Sequence, residues 1–124
     1  MSMTLEQERA KYAFDAIAAF TGDKGKYATH IKKLPAMILN NGLGQALAYL
    51  LADDKGEYSA PSWSLYSQLR VWMTRKCICS GNDLMDSLMK GDSTQYMHAQ
   101  HESLKLLAWM TKFADAYLPK TEGG

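Results

Sequence analysis

Apolar residues recur along most of this chain at intervals of three and four, the spacing of one face of an α-helix. The first run is Ala10, Ala13, Phe14, Ile17 and Phe20, with Glu8, Lys11 and Asp15 on the opposite face. Thr4 followed by Gln7 is a capping-box pair, Glu6 and Glu8 suit the positive end of a helix dipole, and Gly22 stops the helix. A second stripe of Tyr27, Ile31, Leu34 and Ile38 predicts a helix over residues 26–40. Pro35 inside that stripe removes a backbone donor and predicts a kink or a restart. Asn40-Asn41-Gly42 reads as a C-terminal cap and turn. Residues 43–51 are apolar nearly all round, as in a short, deeply packed helix.

Residues 53–61 form the one clear loop, punctuated by Gly56 and Pro61. Helical spacing resumes over residues 62–76 through Leu65, Leu69 and Trp72, with Tyr66 and Met73 alongside. Ser80-Gly81-Asn82 breaks the chain, and residues 83–89 predict a short helix closed by Gly91. Asp92 with Gln95 caps the last and longest helix. Its stripe is Tyr96, Ser103, Leu106, Leu107, Met110, Phe113, Ala114 and Tyr117, and Pro119 ends it. No segment alternates as a strand does, and nothing repeats. The expected architecture is all-α: a compact single-domain bundle of about six helices over residues 1–124, with 121–124 as a flexible tail.

Composition adds little until charge is placed along the chain. The length suits one core. No run reaches the roughly 18 apolar residues of a membrane helix, and the N-terminus lacks a signal-peptide pattern, so the cytoplasm is the expected location and no membrane partner is expected. A formal net charge of +1 conceals a segregation: residues 24–52 hold four lysines and no carboxylate, and residues 58–82 hold Arg70, Arg75 and Lys76 and no carboxylate. On a wheel centred on Ile31, Lys26, Thr29, His30 and Lys33 face away from the apolar stripe, with Lys32 at its flank and Lys24 just before. A basic face without local acid is the footprint of phosphate contact. A charge run is more often simply a solvated face; against that reading, Lys24, Lys26, Lys32, Lys33, Arg70, Arg75 and Lys76 are the candidate RNA-binding residues. Nothing resembles a base-reading element, so such contact would follow backbone and shape. Arg9 falls at the edge of the first apolar stripe. Either its stem snorkels, or it makes a contact across a subunit boundary.

Catalytic constellations are scarce. Carboxylates are scattered, and there is no phosphate-cradling loop, dinucleotide fingerprint or nucleophile elbow. Neither an enzyme nor a cofactor is expected. Cys77 and Cys79 are too close in sequence for a disulfide framework. With His98 and His101 they make a chemically sensible zinc set, yet C-x-C is not the usual spacing, and ordinary packed or surface side chains are the preferred reading. Met37, Met73 and Met110 read as core, and Trp63, Trp72 and Trp109 as core or interface anchors.

One stretch is more particular. Lys26-Tyr27-Ala28, Leu34-Pro35, Ile38, Asn41-Gly42-Leu43 and Ala46-Leu47-Ala48 follow one another, with Gln7, Arg9, Ala10 and Ala13 before them and Leu107, Trp109, Phe113 and Ala114 after. This pattern resembles the small-subunit family of the Cmr (type III-B) CRISPR effector complex. Residues 53–92 add little to the likeness. The resemblance implies a non-catalytic, roughly six-helix subunit that stacks in several copies beside the crRNA-carrying backbone protein. Other Cmr subunits, copies of itself and the crRNA/target RNA would be its partners. Guide–target pairing would supply sequence specificity, and cleavage would belong to other subunits. The alternative is a helical adaptor that binds only protein.

Overall fold

Capping chemistry sets where the chain turns. α1 (Leu5–Ala19) opens on Thr4, whose hydroxyl accepts the Gln7 N–H at 3.1 Å while the Gln7 side chain accepts the Thr4 N–H at 2.8 Å. α2 (Lys24–Asn41) opens on Asp23, which accepts the Lys26 N–H, slightly earlier than the apolar stripe implies. α3 (Leu43–Ala52) follows directly. α4 (Pro61–Arg75) has proline in its first turn, where no N–H is needed. After α5 (Leu84–Lys90), α6 (Ser93–Tyr117) opens on Asp92, which accepts the Gln95 N–H at 2.8 Å. The computed structural model describes residues 2–53, 57, 59–80 and 82–119, and these contain six helices and no strand. Gly56, Gly81 and the expected tail at 121–124 lie outside the described residues.

Cross-helix bonds give the directions. Glu6 reaches Trp109 and Phe14 meets Phe113 and Tyr117, so α1 and α6 run parallel. Lys32 of α2 meets Asp115, and Gly44, just beyond the C-terminal end of α2, meets Tyr96, so α2 is antiparallel to α6. Glu8 pairs with Lys76 and Tyr12 with Gln68, so α4 is antiparallel to α1. The core lies between these helices: Tyr27, Ile31, Leu34 and Ile38 of α2, Leu47 and Leu50 of α3, Leu65, Leu69 and Met73 of α4, and Leu106 and Met110 of α6 are all buried. α2 runs unbroken through Pro35. Buried Ile31, Leu34 and Ile38 anchor it on both sides of the proline, so no restart occurs.

The corner between α2 and α3 turns on Gly42, whose φ of +88° favours glycine. Its N–H closes α2 on the Ile38 carbonyl at 2.7 Å, but no side chain of the corner caps α3. α6 supplies the caps instead. Gln100 Oε1 accepts the Leu43 N–H at 2.9 Å, and the Tyr96 hydroxyl accepts the Gly44 N–H at 2.8 Å. A Cβ on Gly42 would lie 3.1 Å from that hydroxyl.

Three positions differ from the periodic reading. Phe14 and Tyr117, counted as core, are 42% and 62% exposed. α1 and α6 lie side by side there, and among the described residues nothing covers the far side of their seam. His30, counted as outward, is buried. α2 packs against α3, α4 and α6 together, so the buried arc of that helix is wider than one stripe.

Candidate nucleic-acid interface

The α2 lysines lie where an exposed face should be. Lys24, Lys26, Lys32 and Lys33 are all exposed. They are not equally available. Lys24 Nζ donates to the Phe20 carbonyl at 3.1 Å. Lys32 Nζ sits 2.6 Å from Asp115, so α6 supplies the acid that the local sequence lacks. Lys33 meets no carboxylate among the described residues.

His30, their expected companion, turns inward. Its Nε2 is 3.0 Å from Asp53 Oδ2 and its Nδ1 is 3.2 Å from the Tyr49 hydroxyl. The Asp53 approach is an ion-pair distance only: neither His30 Nε2 nor Asp53 Oδ2 has a hydrogen-bond partner of good geometry among the described residues. Burial holds the imidazole below the usual histidine pKa despite the opposing pull of Asp53, and the nearby Lys26 and Lys33 charges add to the lowering.

The α4 group has other neighbours. Arg75 lies over the Tyr12 ring at 5.2 Å, and Lys76 over the Trp72 ring at 5.0 Å. Lys76 also pairs with Glu8 of α1 at 2.5 Å. Both cations line a groove of about 460 Å³ between α1 and α4, with Tyr12 and Gln68 in its wall. Arg70, half-buried, lines a separate cleft with Trp63, Tyr66 and Asp83. Neither Arg70 nor Arg75 meets a carboxylate among the described residues. The α2 lysines line neither of these clefts.

Arg9 points into the protein. Its Nε and a terminal nitrogen donate to the two Glu102 oxygens at 2.6 and 2.7 Å, and its other nitrogen donates to Glu6 at 2.8 Å. Trp72 Nε1 donates to Glu102 at 3.0 Å and Trp109 Nε1 to Glu6 at 3.2 Å. One arginine thus orders two carboxylates and two indoles. Hydrogen bonding to Glu102 raises the guanidinium pKa. The available signal was Glu102 itself, a charge on the buried stripe of α6 matching the one on α1.

The zinc candidates do not form a cluster of three or more ligands among the described residues. Cys77 is exposed with a φ of +58°, Cys79 is buried with its thiol pKa raised by burial, and His98 and His101 are exposed on α6. No helix among the described residues is long and apolar enough to cross a membrane.

Comparison with known proteins bears on the whole chain. The family model for CRISPR-associated protein (Cas_Cmr5) matches residues 5–117. The crystal structure of a CRISPR-associated Cmr5 family protein from Thermus thermophilus is similar, with a TM-score of 0.74 at 25% sequence identity, covering 94% of this chain and 100% of that one. The match takes in all six helices and with them both basic groups. The chain belongs to the Cmr5 family, the CRISPR-associated small-subunit family of the Cmr (type III-B) system.

Proposed function

We propose that the protein is a non-catalytic structural subunit of the Cmr complex. In this reading it stacks in several copies beside the crRNA-bearing backbone and touches the RNA backbone through Lys24, Lys26, Lys32, Lys33, Arg70, Arg75 and Lys76. The observation that carries the RNA contact is that Lys33, Arg70 and Arg75 are cations with no carboxylate partner among the described residues. A cation already held by a carboxylate loses that bond on reaching a phosphate, whereas these three do not. They are therefore the strongest members of the set, and Lys32 and Lys76 the weakest.

The test is RNA binding by the assembled complex across a salt titration. Lys33→Glu, Arg70→Glu and Arg75→Glu combined should weaken target-RNA binding and reduce the salt slope by about 2 for three lost phosphate contacts. Lys32→Gln with Lys76→Gln should change it less. An unchanged slope in the triple variant would defeat the reading. The internal pairing of Lys32 and Lys76 favours a second reading, an adaptor that binds only protein. That reading requires the triple variant to bind RNA as the parent does.

A further inference from the structure

Four aromatic rings form a continuous cluster along the α1–α6 seam. Trp109 stacks on Phe113 at 5.7 Å, Phe113 lies 6.0 Å from Tyr117, and Phe14 meets Phe113 and Tyr117 edge-on at 5.8 and 5.5 Å. Internal packing leaves much of Phe14 and Tyr117 in water. Scattered apolar side chains on a surface need no explanation, but a contiguous aromatic cluster does. Tyrosine, tryptophan and phenylalanine are the residues enriched in protein interfaces.

The rim of the cluster indicates the partner. A groove of about 400 Å³ beside it is lined by Glu6, Lys105, Ala108, Trp109 and Lys112. Lys105 and Lys112 stand on one side of α6, about 10 Å apart along its axis. Neither meets a carboxylate among the described residues. Ala108 between them leaves room for a neighbouring backbone. The groove's own carboxylate, Glu6, is held by Arg9 and Trp109.

We propose that this seam docks an acidic amphipathic helix of a partner polypeptide. Its apolar side chains cover Phe14, Trp109 and Tyr117, and its carboxylates, two turns apart, pair with Lys105 and Lys112. RNA suits the seam less well. Trp109 and Phe113 spend ring faces on each other, and the groove's one carboxylate, Glu6, stands at its edge. None of these residues belongs to the RNA-contact set, so the docking proposal and the RNA proposal can fail separately.

The test is an NMR titration of the full chain with two synthetic helical peptides sharing one leucine stripe. One carries glutamates two turns apart, the other lysines at the same positions. The acidic peptide should shift the Trp109 indole and the amides around Phe14 and Tyr117. It should bind about tenfold more tightly than the basic one and weaken with salt. Lys105→Glu with Lys112→Glu should invert the preference without moving the thermal midpoint. Equal affinity for both peptides, or shifts confined to other surfaces, would overturn the proposal. So would the same shifts on self-association in sedimentation, which makes a second copy the occupant, or on adding single-stranded RNA alone.

Discussion

Two opposite-charge pairs tie α6 to the rest of the molecule at the same separation and in opposite surroundings. Arg9 and Glu102 stand 2.6 Å apart with side chains 6% and 5% exposed, whereas Lys32 and Asp115 stand 2.6 Å apart at 38% and 59%. Distance therefore says little about what each contributes. In the interior, Glu102 has given up water and depends on Arg9 and Trp72. Burial alone would raise its carboxyl pKa, but the hydrogen bonds from Arg9 and Trp72 and the Arg9 charge hold it below the ordinary glutamate range. At the surface, Lys32 and Asp115 exchange one set of solvated contacts for another.

The sharpest way to break this comparison is Arg9→Ala, which leaves Glu102 buried without its countercharge. Urea denaturation should show a loss of about 3–5 kcal/mol. Arg9→Met with Glu102→Leu should recover most of it, because no charge then remains inside. A loss under about 1 kcal/mol for Arg9→Ala would place the buried pair with the surface ones.

Acid should separate the buried groups next. His30 has a folded pKa below the ordinary 6.5, so the unfolded chain takes up its proton first as pH falls. Stability should drop below that pH until the folded imidazole also protonates. Glu102 is likewise depressed from 4.5, so its contribution is complete above that value and is lost as pH falls through the folded pKa. Thermal unfolding against pH should show both declines. His30→Gln should remove the upper one and leave the lower.

The smallest effect belongs to the surface pair. Lys32→Ala should cost less than about 1 kcal/mol and become undetectable at 1 M salt, where the Debye length is about 3 Å. A larger, salt-resistant loss would mean that the α2–α6 contact is more than a solvated bridge.

The helices were legible because their signals are local. Thr4 with Gln7, Asp92 with Gln95 and the turn at Gly42 each act within a few residues, and the structure uses all three. What periodicity could not supply was the number of neighbours around each helix. A wheel shows the angle between Ile31 and His30 but not that a third helix covers His30, and it places Phe14 inward without showing that the outer seam stays open. The site divides the same way. Exposure of the α2 lysines follows from the stripe opposite them, whereas the partners Asp115 and Glu8 come from helices distant in sequence. The resemblance rested mostly on apolar and turn residues, with Lys26 and Arg9 the cations in it, which is why it bore on the fold more directly than on the basic set.

The caps that α6 places on α3 carry a consequence for synthesis. Until Tyr96 and Gln100 arrive, the first amides of α3 depend on water, and Arg9 lacks the glutamate that orders it. A nascent chain ending before α6 can form its helices locally but cannot secure the corner at Gly42 or the interior charge. Vectorial folding is thus withheld until α6 emerges, and chains truncated before it should exchange their α3 amides freely and be open to proteolysis. Docking of α6 and completion of the fold are the same event.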